Sequence, residues 1–175
     1  MPPPLGFDPI DRAAQLWAER WPDEEPDVYA SMRAVTSIMR AHQILIAQLD
    51  AMLRPHGITF SRYEALVLLV HSRAGALPLS KIGERLQVHA TSVTNVIDRL
   101  EAAGLVRREP NPRDGRGTLA VITAEGRAVA EKATADLNAA RFGMSALSAQ
   151  ELRGLFETLR AVRVAAADFA ADSQA

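Results

Sequence analysis

The most distinctive polar side chains of this sequence are concentrated between residues 91 and 99. Short hydroxyls, one amide and one long cation follow one another there, at Thr91, Ser92, Thr94, Asn95 and Arg99. An ordinary solvated helix face would carry Glu and Lys at several of these positions. Small hydrogen-bonding groups suit a helix whose backbone must lie close to base edges and phosphates in a major groove about 12 Å wide. The alternative is an exposed helix that is merely rich in Ser and Thr.

A second polar cluster follows in a segment rich in proline and glycine. Arg113 and Arg116 flank Asp114 and Gly115. The glycines at 115 and 117 permit positive φ, and the neighbouring prolines stiffen the chain. A rigid turn that holds a guanidinium at its tip suits a narrow minor groove, whose negative potential attracts arginine. A surface turn with incidental charges is the alternative.

Four segments must position these side chains. Apolar residues recur with helical spacing over 79–86 and 89–103, and the connection between these segments is short enough to form a tight corner. Strand patterns follow over 105–109 and 118–123, on either side of the polar tip. In the second helix one stripe is predicted to be buried, formed by Val93, Val96, Ile97 and Leu100. The order predicts a helix-turn-helix followed by a two-stranded wing.

Three runs of residues, 96–108, 114–116 and 122–126, together resemble the core signature of the MarR family of bacterial transcriptional regulators. In that family an Asp-x-Arg pair lies at the wing tip, its Arg enters the minor groove, and a Leu-Thr-x-x-Gly run leads into a long dimerisation helix. Here Gly115 stands where the family often has Arg, and Ile122 replaces Leu. The resemblance extends over roughly residues 27–171 and implies DNA binding by a dimer.

Charge along the chain favours one docking orientation on DNA. The net charge of −1 is by itself weak evidence against a nucleic-acid partner. Residues 80–116 nevertheless carry seven basic against five acidic side chains, whereas residues 1–30 carry seven acidic against two basic ones. The basic set includes Lys81, Arg85, Arg107 and Arg108, and Lys81 is expected to contact phosphate. A modestly basic patch on an acidic body is expected to orient the protein on the duplex.

The sequence offers no residues for catalysis, a metal or a cofactor. It contains no cysteine, which excludes a disulfide, a thiolate metal site and thiol-based sensing. Its histidines lack the HxxxH and HExxH spacings, and the phosphate-loop, nucleophile-elbow and dinucleotide-binding motifs are missing. We therefore predict a protein that is not an enzyme and that needs no cofactor.

Composition indicates a globular protein outside the membrane. A content of 48% hydrophobic and 23% charged residues in 175 is ordinary for one folded domain. No apolar run approaches the roughly 18 residues that suggest a membrane span, and the N-terminus lacks a secretory pattern. These features predict a cytoplasmic location.

The fold class expected from these patterns is mainly α with a small β-wing. We expect a winged helix-turn-helix lobe over 57–123, dimerisation helices over 27–56 and 124–171, and an N-terminal extension with a short helix over 1–26. Ser61 and Glu64 fit a capping box at the start of a helix over 61–72, and Ser148 with Glu151 fits a second box.

The long helices carry more apolar residues than a small winged helix can cover. They include Val35, Ile38, Met39, Ile44, Ile46, Leu49 and Met52 at one end, and Leu152, Leu155, Phe156, Leu159, Val162, Val164 and Phe169 at the other. A two-fold dimer would bury this surface and place two reading helices one DNA turn apart. Packing within one chain is the alternative.

An effector is a further expectation from the resemblance. In MarR-like dimers small aromatic or anionic molecules bind where the dimer helices meet the DNA-binding lobe. Trp17 and Trp21, four residues apart on one helix face, are expected to cover such a pocket together with His42 and Glu64. Alternatively, the two tryptophans anchor their helix to the core. Glu64 stands where the urate-responsive branch uses Asp, but Val96 replaces that branch's Arg, which argues against urate itself.

The sequence thus predicts a homodimeric regulator of a pseudo-palindromic DNA operator, most simply a repressor that a small molecule releases. The alternative is a ligand-binding or helical interaction module that keeps the fold and does not bind DNA. The salt dependence of DNA affinity separates these two alternatives. A regulator loses affinity steeply as the salt concentration rises, because its phosphate contacts release counterions.

Overall fold

The computed structural model of the chain describes residues 3–112, 114 and 117–169. In chain order its elements are α1 (Pro9–Arg20), α2 (Pro26–Leu53), α3 (Phe60–His71), β1 (Ala76–Pro78), α4 (Leu79–Leu86), α5 (Ala90–Ala102), β2 (Val106–Pro110), β3 (Thr118–Ile122), α6 (Ala124–Ala139) and α7 (Ala149–Ala165). Short 3-10 turns follow α2 and α6. The predicted class, mainly α with a small β-wing, is confirmed.

The sheet has one strand more than the two-stranded wing that the sequence predicts. β3 lies in the centre and pairs antiparallel with both β2 and β1, in the order β1-β3-β2. β1 is three residues long, and Ala76 pairs with Val121 across the ladder. Three residues are too few for a period-two pattern to be recognised, so only the tertiary pairing identifies this strand.

The core lies between α3 and the surrounding helices and sheet. Its fully buried side chains include Leu53, Leu66, Leu69, Ile82, Ile97, Leu100 and Leu137. Each buried side chain of this size contributes about 1.5–3 kcal/mol from the removal of apolar surface from water. Three of the four predicted stripe residues of α5 are buried, whereas Val96 is half-buried. The buried stripe of α5 is therefore narrower than predicted.

The start of α3 corrects one predicted capping box. The helix begins at Phe60, whose backbone N–H donates to the Asp50 carboxylate of α2 at 2.7 Å. Ser61 consequently lies inside the first turn, and the box with Glu64 does not form. A carboxylate near the end of the preceding helix supplies the acceptor instead. The second box is confirmed, because Ser148 and Glu151 exchange side-chain to backbone hydrogen bonds at the start of α7.

The terminal helices are exposed along much of their length. α1 folds back on α2, where the Tyr29 hydroxyl donates to the Trp21 carbonyl and Arg33 pairs with Asp11. Within the described chain, α1 and α7 contain no buried residue. Large apolar side chains remain exposed on α2 and α7, including Val35, Ile38, Met39, Leu155, Phe156 and Val162. None of the described helices has the length and hydropathy for a membrane crossing.

Candidate nucleic-acid interface

The polar side chains singled out on α5 all lie on its exposed face. Thr91, Ser92, Thr94, Asn95 and Arg99 are exposed, while the buried stripe on the other side packs into the core. That stripe fixes the rotation of the helix about its own axis. The arrangement leaves a row of hydroxyl, amide and guanidinium groups available to an external partner.

The corner that leads into α5 is tightly packed. Gln87 adopts the left-handed region at φ 53°, and the Val88 N–H donates to the Gly83 carbonyl at 3.1 Å. A Cβ at Gly83 would lie 3.2 Å from Val93 Cγ2, so glycine permits the close approach of α4 and α5. His89 caps α5, with its Nδ1 accepting from the Thr91 N–H at 3.4 Å. The predicted helix-turn-helix corner is therefore present, with His89 as the N-cap residue.

Lys81 is exposed on α4 and already has a partner. Its ammonium donates to Glu84 Oε2 at 2.6 Å, one turn along the same helix. This hydrogen bond and the positive charge of Lys81 lower the pKa of Glu84 below its ordinary value. A phosphate contact by Lys81 requires exchange of this exposed partner, which costs little because such pairs are weak in water.

Two arginines of the predicted basic patch are paired within the lobe. Arg107 bonds to Glu109 on the same strand at 2.7 Å. Arg108 pairs with two acids of α5, Asp98 and Glu101. The count of basic side chains in the sequence therefore overstates the positive charge that is free to meet DNA.

The tip of the wing is described in part. The backbone N–H of Asn111 donates to the Gly117 carbonyl at 2.9 Å, and the Gly117 N–H donates to the Asp114 carbonyl at 2.8 Å. A Cβ at Gly117 would lie 2.9 Å from Asp114 Oδ2, so glycine leaves room for this carboxylate. Asp114 is exposed. Arg113 and Arg116, the predicted minor-groove arginines, lie outside the described residues.

A cleft of about 440 Å³ lies between the exposed face of α5, the start of α3 and α4. Its polar lining consists of Thr59, Ser61, Arg62, Glu64, Ser92, Asn95 and Arg99. Its apolar lining consists of Ile82, Leu86, Val88, Val93 and Val96. The cleft therefore shares three side chains with the polar face of α5, which residue spacing alone could not reveal.

The four residues predicted for an effector pocket do not all line this cleft. Glu64 lines the cleft, where its side chain is half-buried. In the described part of the chain, Trp17, Trp21 and His42 do not line it. The tryptophan rings contact each other at 4.7 Å between centroids and are 40% and 47% exposed. His42 is exposed on α2.

Glu64 has an unusual electrostatic position. None of the described residues forms a hydrogen bond or an ion pair with it. Burial alone raises the pKa of its carboxyl group above the ordinary value near 4.5. Removal from water disfavours the charged form, and none of the described charged groups offsets this effect.

The raised pKa of Glu64 predicts a pH-dependent cost to stability. The folded protein retains this proton to a higher pH than the unfolded chain, so stability is lost as the pH rises through the raised value. Glu64→Gln should therefore be more stable than wild type at pH 7, with the difference vanishing below the ordinary Glu value. Urea unfolding at several pH values measures it.

Glu84→Gln is the matched control, because the lowered pKa of Glu84 reverses the sign. Its stabilising contribution is present above the ordinary value and is lost as the pH falls through the lowered one. Glu84→Gln should accordingly be less stable than wild type at pH 7. A gap between Glu64→Gln and wild type that is independent of pH would contradict the assignment.

The described residues contain no group of three or more His, Asp or Glu side chains that could hold a metal ion. His56, near the end of α2, is paired with Asp136 of α6 at 2.7 Å. His89 is the N-cap of α5. These two histidines therefore have structural roles.

Comparisons with known proteins agree with this geometry. The sequence model of the MarR family matches residues 58–118. The HTH-type transcriptional regulator MhqR of Bacillus subtilis (strain 168) is 30% identical over 141 residues, which cover 79% of this chain and 95% of the relative. Such relatives are regulators and not enzymes.

Two solved structures from Streptomyces coelicolor extend the comparison. Sco5413, a MarR family transcriptional regulator, is 58% identical with a TM-score of 0.75, covering 80% of this chain and 97% of that chain. Sco3205, of the same family and solved in complex with DNA, is 26% identical with a TM-score of 0.69, covering 80% and 92%. The chain belongs to the MarR family of winged helix-turn-helix transcriptional regulators.

Proposed function

We propose that this regulator is a homodimeric repressor that binds a pseudo-palindromic DNA operator. The observation that carries the proposal is the polar face of α5, exposed beside the wing and held in place by a buried apolar stripe. The similar protein Sco3205 was solved in complex with DNA. A DNA-binding regulator acts where the chromosome is, so we also propose a cytoplasmic location.

The proposed contacts divide into three roles. Thr91, Ser92, Thr94, Asn95 and Arg99 face base edges and adjacent phosphates in the major groove. Lys81 meets phosphate, which positions the lobe without reading sequence. Arg113 and Arg116 enter the minor groove from the wing tip, with Asp114 holding Arg116 in place. Support comes from the exposure of the α5 residues and Lys81, and from the turn around Asp114.

The dimer is proposed from the apolar surface that the single chain leaves exposed. This surface lies on helices of the segments 27–56 and 124–171, which we assign to dimerisation, while 57–123 forms the DNA-binding lobe and 1–26 an extension. Val35 and Phe156 are 60% and 55% exposed. Contiguous apolar surface on long helices is typical of an interface. Residues 1, 2, 113, 115, 116, 170 and 171 of these segments lie outside the described ranges.

The cleft beside α5 is the proposed effector site. Arg62 and Arg99 line it without an ion pair to any described residue, above an apolar floor. Cations beside apolar surface suit a small aromatic or anionic molecule. Because Ser92, Asn95 and Arg99 belong both to this cleft and to the proposed DNA interface, an occupant would disturb DNA contacts and release the repressor.

Selection of genomic fragments by the purified protein, followed by a salt series on the selected operator, tests the proposal. A dimer with 6–10 phosphate contacts should lose affinity about 10³–10⁵-fold between 50 and 200 mM salt. Failure to retain any specific fragment would favour the interaction module that does not bind DNA. The genes next to the selected fragments would also indicate the class of effector.

A further inference from the structure

Three side chains join α5, the helix proposed to read the DNA, to strand β2 of the wing. Arg108 of β2 donates through Nη1 to Asp98 Oδ1 and, at 3.1 Å, to Glu101 Oε2 of α5. The backbone N–H of Arg108 also donates to Glu101 Oε1 at 3.1 Å. Both oxygens of Glu101 are therefore bonded to the wing strand. We call Asp98, Glu101 and Arg108 the clamp.

The clamp acts on the backbone as well as on side chains. A bond from Glu101 to the Arg108 N–H fixes the position of the strand itself, and the guanidinium adds a second point of attachment. The side chain of Arg108 is 28% exposed, so water competes less for these bonds than at the open surface. Hydrogen bonds between charged groups are stronger than those between neutral groups.

Asp98 and Glu101 are electrostatically unexpected on a helix that approaches DNA. The side chains of Asp98 and Glu101 are 51% and 40% exposed, and Asp98 lies one turn from Thr94 and Asn95. Carboxylates near the phosphate backbone repel it. Considered as isolated charges, both acids should weaken DNA binding.

We propose that the clamp fixes the angle between α5 and the wing, so that helix and wing engage the operator as one rigid unit. Asp98, Glu101 and Arg108 are then positioning residues and not DNA contacts. The inference rests on the proposed DNA interface. The proposal accounts for the two acids on α5, because the DNA affinity gained by positioning the wing exceeds the affinity lost by repulsion between these carboxylates and phosphate.

Arg107 is the matched control for Arg108. The two residues are adjacent, carry the same charge and lie on the same strand. Arg107 pairs with Glu109 of its own strand and has a side chain 58% exposed. Among the described residues, it makes no bond that joins β2 to α5. Arg107→Ala and Arg108→Ala therefore remove the same positive charge, but only Arg108→Ala also removes the clamp.

The test measures operator affinity by fluorescence anisotropy at one salt concentration, using the full chain. Asp98→Asn and Glu101→Gln each remove a negative charge, which by itself would strengthen DNA binding. Each variant should instead weaken binding by about tenfold, because one strong interaction of the clamp is lost. Arg108→Ala should weaken it by more than Arg107→Ala, and Arg108→Lys should recover part of the loss. Thermal unfolding checks that each variant is folded.

A double-mutant cycle with the wing tip separates positioning from general destabilisation. Arg116→Ala should lower affinity strongly in wild type and much less in Arg108→Ala, because a wing without the clamp no longer places its tip in the groove. Additive losses would overturn the proposal, as would tighter binding by Asp98→Asn and Glu101→Gln. Absence of specific binding by wild type would instead overturn the DNA interface on which the inference rests.

Discussion

Val35→Glu should convert the protein into a folded monomer that binds its operator about 10²–10⁴-fold more weakly than wild type. Val35 is 60% exposed in the single chain, so the substitution leaves the core intact. In the proposed dimer the added carboxylate would lie unpaired in an apolar interface, which is costly. A monomer engages one half-site and loses the effective concentration that links the two reading helices.

Val162→Glu, on α7, should have the same effect because Val162 is 57% exposed on the second helix of the proposed interface. Leu5→Glu is the control, since Leu5 is 62% exposed and precedes α1. Light scattering reports the oligomeric state, and anisotropy reports operator affinity. A monomer with wild-type operator affinity would show that dimerisation is not needed for recognition.

Asn95→Ala should reduce the discrimination between operator and altered base pairs by about 1–3 kcal/mol, the range for one base-reading side chain. Asn95 is exposed on α5, and its amide can donate and accept at a base edge. The expected change is in sequence preference, with folding unaffected. Binding of the operator and of single base-pair variants, compared at one salt concentration, measures it.

Lys81→Ala is the matched control for Asn95→Ala, because a phosphate contact carries no sequence information. It should weaken all sequences alike and flatten the salt slope by about one unit. The bond of Lys81 to Glu84 has to be exchanged for that contact, so Glu84→Gln should bind slightly more tightly. If Lys81→Ala altered base preference and Asn95→Ala did not, the two roles would be wrongly assigned.

Much of the fold could be predicted from the sequence because its signals are local. The bounds of α4 at Leu79 and Leu86 and the capping box at Ser148 follow from periodicity and cap chemistry within a few residues. The strands of the wing follow from β-type runs on either side of a Pro/Gly turn. The exposed polar face of α5 follows from the same helical period that buries Val93, Ile97 and Leu100.

The features that could not be predicted depend on contacts between different elements, whether those elements are near or far along the chain. The cap of α3 comes from Asp50, ten residues away, and β1 exists because it pairs with β3. The bonds of Arg108 to α5 and the cleft beside Glu64 arise where packed elements meet. Patterns of hydropathy report which face of an element is buried, but not which neighbour covers it.

The helix-turn-helix, the wing and the row of small polar groups on α5 can be inferred from the sequence alone, since their signals lie in local spacing along the chain. Which basic side chains are paired within the lobe becomes clear only from the folded chain. Arg107 and Arg108 count equally in the sequence, yet one is paired along its own strand and the other joins α5 to the wing. An ion pair between two elements requires their charged atoms to lie within a few ångströms of each other, and packing of the core sets that distance.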